Sequence, residues 1–213
     1  MTPTAVSSLT LDHLAVVARS LDEGLAHVEN ALGVAMPAGG EHREMGTHNH
    51  LLRLGEGLFL EVIAINPAAP APARARWFDL DRLGHAVPHL ATWIVRTDDL
   101  DAALAGAPPA AGPAIQVSRD ALTWRIAVPE DGSLPYAGAY PTIIEWQPGP
   151  HPTSRMPDLG YGLLDLKVEH PDVEDIGAYL VDTFEDPRVA VEVGPRVRLT
   201  AGIATPHGVR TLT

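Results

Sequence analysis

A strand-like apolar run leading into an acidic helix start occurs three times in this chain. Residues 11–25 read LDHLAVVARSLDEGL, residues 90–104 read LATWIVRTDDLDAAL, and residues 163–177 read LLDLKVEHPDVEDIG. An offset of 79 lays Leu21-Asp22-Glu23 on Leu100-Asp101-Ala102, and an offset of 152 brings Val173-Glu174-Asp175 to the same place. Repetition on this scale fixes architecture before any short motif does. In the first two copies an apolar strand carrying one acid follows: LFLEVIAI (58–65) with Glu61, and TIIEW (142–146) with Glu145. The expected fold is therefore α+β, built of paired β-α-β-β-β units around a sheet. The first unit covers 1–66, the second 85–150, and a partial third 160–213.

Local signals fill in the first unit. The run from Leu11 to Val17 is apolar on both parities apart from Asp12 and His13, as in a strand covered on both faces. Ser20 with Glu23 forms a capping-box pattern, and Leu21, Leu25, Val28 and Leu32 make a helical stripe ending at Gly33, so a helix is predicted over 21–32. Pro37-Ala-Gly-Gly40 opens a polar loop, and THNHLLRLG, Gly55-Glu56-Gly57 and LFLEVIAI then read as a hairpin.

Two hairpin registers are available. A three-residue loop with Gly57 left-handed pairs Leu54 with Leu58 and sets Glu61 opposite Leu51, with Asn49 and Arg53 on its face. A two-residue loop sets Leu52 opposite Glu61 and brings His50 to the face instead. The G-x-G turn favours the first, and with it a pocket lined by Asn49, Arg53 and Glu61. The stretch NPAAPAPARAR (66–76) excludes regular structure and reads as a linker or wrapping loop, with Trp77-Phe78 placed to cover an edge of the sheet. The second unit is predicted to place a helix near 99–105 and strands at 123–129 and 142–146, and the third a helix over 173–184.

Charge and composition narrow the partners. The net charge of −12 argues against nucleic acid or an anionic membrane, both of which need basic patches. The absence of cysteine excludes disulfides and thiolate metal sites. No apolar run reaches spanning length and the N-terminus lacks a signal-peptide pattern, so a cytoplasmic protein is expected. The incomplete third unit could pair in trans, which leaves a homodimer open.

His13, Glu61 and Glu145 each sit inside an apolar run. A buried carboxylate needs a cation, a metal or strong donors. Imidazole plus carboxylate oxygens suit a divalent ion such as zinc, manganese, iron or nickel, while a carboxylate left free of it can act as general base. Pairing of both glutamates with arginines is the structural alternative. His48 and His50 are reserve ligands. His42 and His151 read as loop or capping residues, and Trp93, Trp124 and Trp146 as core or pocket walls.

The segments LDHLAVVARSLDEGLAHVENALG and GTHNHLLRLGEGLFLEVIA, in this order and with His on the first strand and Glu on the fourth, resemble the vicinal oxygen chelate superfamily, in its glyoxalase-like branch. The resemblance implies a cup-shaped sheet with ligands from the first and last strand of each unit, here His13, Glu61, position 92 and Glu145. Position 92 is Thr92, a departure that leaves one histidine and two glutamates. The resemblance thus implies a small oxygen-rich or aromatic ligand beside Thr92, and the hairpin register adds Asn49 and Arg53 as its expected contacts. The resemblance also implies a metal at His13, Glu61 and Glu145, and lyase or isomerase chemistry using Glu61 and Glu145. The ring-cleaving oxygenases of the superfamily fit less well, since they present a second histidine. Some relatives are metal-free binding proteins, and that reading stands beside the enzymatic one.

Overall fold

The computed structural model describes residues 8–119 and 122–213. The first unit consists of β1 (Thr10–Ala18), α1 (Leu21–Leu32), β2 (Ala38–His42), β3 (Thr47–Arg53) and β4 (Phe59–Ile65). The second consists of β5 (His89–Arg96), α2 (Leu100–Ala105), β6 (Ala114–Arg119), β7 (Leu122–Ala127) and β8 (Thr142–Trp146). Together they form one eight-stranded sheet in the order β2-β3-β4-β1-β5-β8-β7-β6. The sheet curls so far that its two ends meet: Ser118 Oγ on β6 donates to Glu44 Oε1, just beyond β2, at 2.6 Å. The result is a cup.

The repeat offset reappears as a symmetry of the central strand pair. β1 and β5 run antiparallel with Leu14 opposite Trp93, His13 opposite Ile94 and Ala15 opposite Thr92. Leu14 and Trp93 differ by the offset of 79, and the same offset carries His13 to Thr92 and Ala15 to Ile94. The two flanking pairs therefore exchange under a local twofold axis through Leu14 and Trp93. Each central strand then pairs in parallel with the last strand of its own unit, β1 with β4 and β5 with β8.

Alternation sorts the side chains into two cores. Leu14, Val16 and Val62 face α1, whose Val28 and Leu32 are fully buried in the same core, and Trp93 joins that core against Phe184. Ala15, Val17, Ile63, Ile94, Ile126 and Ile144 face the cup, with Trp77 and Phe78 closing over them. Burying side chains of this size contributes about 1.5–3 kcal/mol each. α1 starts where Ser20 Oγ accepts from Glu23 N at 3.3 Å and ends at Gly33 with φ 72°, matching the predicted cap residues. The proline-rich stretch wraps rather than links: Arg74 Nη2 donates to Val128 O and Pro129 O, both at 3.2 Å.

The third copy opens as expected, with β9 (Gly162–His170) and α3 (Val173–Leu180), shorter than predicted, but it is wired differently. β9 pairs in parallel with the next strand, β10 (Val189–Val193), and antiparallel with β11 (Arg198–Thr205), which pairs with β12 (Gly208–Leu212). It forms a separate four-stranded sheet. Among the described residues no helix is long and apolar enough to cross a membrane.

Candidate functional site

The site begins with a bulge in β1. The pairing with β5 shifts between Leu11 and His13, leaving Asp12 as the extra residue. A bulge of this kind aims two successive side chains to the same side. Asp12 and His13 both lie on the cup face, and Asp12 Oδ1 accepts from His13 Nδ1 at 2.6 Å. Asp12 Oδ2 accepts from Trp146 Nε1 and His151 Nε2, each at 3.0 Å, and Arg96 Nη1 stands 3.5 Å away. Burial alone would raise the Asp12 pKa, but the hydrogen bonds from His13 and His151 outweigh it and hold the carboxyl well below the usual range. An ionised Asp12 accepts from His13 Nδ1–H, so that the ring in its neutral form offers the Nε2 lone pair to the cup.

Facing that nitrogen is Glu61. The hairpin adopts the three-residue-loop register, with Leu51 opposite Glu61, Leu54 N donating to Leu58 O at 2.9 Å, and Gly57 at φ 66°. Glu61 Oε2 stands 3.7 Å from His13 Nε2, too far for a direct hydrogen bond. Glu61 Oε1 accepts from Asn49 Nδ2 at 2.5 Å. Asn49 Oδ1 in turn accepts from Gly40 N at 2.9 Å and from Arg119 Nη1 at 3.1 Å, so its orientation is set from both sides. Arg53 shares this face but lies further along the strand, lining a surface cleft with Arg96 and His151.

His13, Asn49, Glu61, Arg119 and His42 line one cavity whose remaining walls include Phe59, Trp77, Trp124 and Trp146. The enclosed space between these side chains is small. Phe59 stacks on His13 with centroids 4.3 Å apart. The Trp77 indole Nε1 is buried with no hydrogen-bond partner among the described residues.

His42 departs from the expected loop residue. It ends β2, which occupies the stretch read from sequence as a polar loop, and it is buried against Trp77 and Trp124 in edge-on ring contacts. Burial, reinforced by the positive charge of Arg119 and by repulsion from His13 and His48 when those rings are protonated, pushes its pKa down to about 3. His151 caps the short turn at Pro152–Arg155, as expected, its Nδ1 accepting from Thr153 N at 3.3 Å, and its Nε2 is in addition a partner of Asp12.

Glu145 does not join this group. In unit one Ala15 pairs with Glu61, and its twofold mate Ile94 pairs with Thr142, so the position matching Glu61 is Thr142. Glu145 lies three residues later, an odd step that turns it to the opposite face. There its Oε2 accepts from Leu100 N at the start of α2 at 2.8 Å and from Arg125 Nη1 at 3.4 Å. The arginine alternative thus describes Glu145, whereas Glu61 meets Asn49 and His13. Glu145→Gln is expected to cost about 1 kcal/mol through the helix start, measured by urea titration, and to leave ligand binding in the cup unchanged.

The four symmetry-related positions are consequently His13, Glu61, Thr92 and Thr142. Thr92 is buried with its hydroxyl donated to Trp93 O at 3.3 Å. Among the described residues no group of three His, Asp or Glu side chains is arranged to hold a metal ion. A resident zinc ion is held by three or four protein donors. The donor set His13, Glu61 and two threonines does not fit one, and the set His13, Glu61 and Glu145 is not brought together.

Comparison with known proteins agrees with this architecture. Residues 11–184 match the model of a family described as a glyoxalase-like domain. No curated protein matches the sequence. Among solved structures, a hypothetical protein from Staphylococcus aureus is similar at a TM-score of 0.59 and 13% identity, over 89% of this chain and 88% of that one. Methylmalonyl-CoA epimerase from Mycobacterium tuberculosis is similar at 0.41 and 18% identity, over 72% of this chain and 97% of that one. The Streptomyces coelicolor methylmalonyl-CoA epimerase gives 0.43 and 15%, over 65% and 98%. The first likeness concerns fold alone, and the two epimerases are too distant to bear on chemistry.

Proposed function

The chain belongs to the glyoxalase-like domain family, and from that premise we propose that its cup binds a small oxygen-rich molecule and moves a proton on it, an isomerase-type reaction. The observation that carries this reading is the pair His13 Nε2 and Glu61 Oε2. They face each other 3.7 Å apart in a mostly apolar cavity, and each is oriented from behind, His13 by Asp12 and Glu61 by Asn49. Two proton acceptors at this spacing can serve neighbouring atoms of one small ligand.

Glu61 Oε2 takes the proton from a carbon beside a carbonyl, and the C–H electron pair becomes the enolate. His13 Nε2 takes up and returns the proton of an adjacent hydroxyl. Return of the Glu61 proton to carbon completes the transfer without change of oxidation state. The Trp77 indole N–H, which has no partner among the described residues, is a donor available to the enolate oxygen.

Proton NMR in heavy water tests this with hydroxyacetone, whose carbons beside the carbonyl carry exchangeable protons. Wild-type protein is expected to accelerate their exchange, and Glu61→Gln to reduce the acceleration by about 10²–10⁴. The aromatic walls at Phe59, Trp77, Trp124 and Trp146 favour a second reading, sequestration of a flat ligand without chemistry. Ligand-dependent stabilisation with no exchange in the wild type would replace the first reading by the second.

A further inference from the structure

We propose that Arg119 sets the ligand class: the cup takes small carbonyl compounds that bear a carboxylate, held by the Arg119 guanidinium. This rests on the cup being a ligand site and names what enters it. Arg119 ends β6, on the far edge of the second unit, yet its side chain crosses the seam where the curled sheet meets itself. It reaches Asn49 on the first unit and lines the cavity.

Among the described residues no carboxylate meets Arg119 directly, and Glu61 is separated from it by the Asn49 amide. Arg19, Arg76, Arg82, Arg96, Arg125 and Arg188 each stand within ion-pair distance of an Asp or Glu carboxylate, and Arg53 and Arg74 donate to backbone carbonyls away from this cavity. Arg119 forms no ion pair among the described residues, and its hydrogen bond goes to the neutral amide of Asn49. A cavity-lining guanidinium in a chain with 27 acidic and 15 basic residues is thus left facing an amide. Its planar fork matches a carboxylate, which it binds through two parallel hydrogen bonds.

Space for this arrangement is made by two glycines of β2. A Cβ on Gly40 would lie 2.7 Å from Arg119 Cδ, and one on Gly39 would collide with Asn49 Oδ1. No positive φ demands glycine at either position. Their smallness is required by the side chains they let pass.

Asn49 also fixes where a bound carboxylate would sit. One end of its amide holds Arg119 and the other holds Glu61. A carboxylate on the guanidinium therefore places its neighbouring carbonyl carbon beside the Glu61 and His13 pair. The small cavity accepts the compact end of a 2-oxo acid and little more.

Calorimetric titration with pyruvate and with its neutral counterpart pyruvamide tests the proposal, with carbon-bound proton exchange followed on the same samples. Wild-type protein is expected to bind pyruvate at least tenfold more tightly than pyruvamide. In Arg119→Gln that ratio should fall to about one, while Arg119→Lys keeps part of it. Gly40→Ala keeps the guanidinium in the chain but displaces it, and it should lower the ratio as well, which provides a second route if Arg119→Gln fails to fold. Equal binding of the two compounds by the wild type, an undiminished preference in Arg119→Gln, or binding of neither compound overturns the proposal. Arg119-dependent pyruvate binding without exchange upholds it and removes the proton-transfer reading. Exchange of both compounds with no charge preference overturns it and leaves that reading standing.

Discussion

Stability measured by denaturant titration is expected to fall steadily as pH drops from about 6.5 toward 3, and His42 is the reason. In the unfolded chain this imidazole takes up a proton near its ordinary pKa of 6.5, whereas in the fold it stays neutral down to about 3. The unfolded state therefore binds more protons throughout that window, and stability is lost as pH falls, by several kcal/mol in all. Asp12 adds to the loss only below its ordinary 3.8, because its folded pKa is depressed and its contribution persists above that value. The neutral form of His42 is the one the cup requires. Its Nε2 lies 3.4 Å from the Asn49 amide nitrogen and its Nδ1 3.0 Å from Thr47 Oγ1, an arrangement met by a ring that accepts at Nε2 and donates at Nδ1. His42→Gln should flatten the slope between pH 6.5 and 4. A slope unchanged by that substitution would assign the acid sensitivity elsewhere.

His42 also marks where the sequence stopped being informative. Features that depend on periodicity were legible: the offset of 79 returns as the twofold through Leu14 and Trp93, and the Gly57 turn set the register that puts Asn49 beside Glu61. Glu145 misled because it occupies a similar apolar run, while equivalence in a sheet follows pairing register. A shift of three residues moved it to the helix side, and Thr142 took its place. Asp12 was hidden for the opposite reason, since strict alternation turns it away from His13 and only the bulge turns it back. β2 was concealed by its glycines, which weaken strand propensity. Here they serve the close approach of Asn49 and Arg119, a contact between strands at opposite ends of the sheet order that local pattern does not encode.

Asp12→Ala is expected to cost about 3–5 kcal/mol, the range for removing one partner of a buried charged network. The substitution strips an acceptor from His13, Trp146 and His151 at once and leaves Arg96 without its nearest carboxylate. Asp12→Asn separates charge from shape. An amide fills the same space but has one acceptor oxygen for three close donors, and its own N–H₂ must face one of them. A loss approaching that of alanine is therefore expected, whereas Trp146→Phe, which removes one donor and leaves the carboxylate bound by the others, should cost nearer 1 kcal/mol. The chemical consequence is distinct from the mechanical one. Without a carboxylate behind Nδ1 the His13 proton is free to move to Nε2, which then no longer accepts a proton from a ligand facing Glu61. Nitrogen-15 shifts of the His13 ring report this tautomer directly. The shifts should show Nδ1–H in the wild type and a mixture in Asp12→Asn, together with weakened proton exchange at temperatures where the variant remains folded. An Asp12→Asn protein as stable as the wild type, with the His13 proton still on Nδ1, would show that Asp12 neither anchors the mouth of the cup nor orients the base within it.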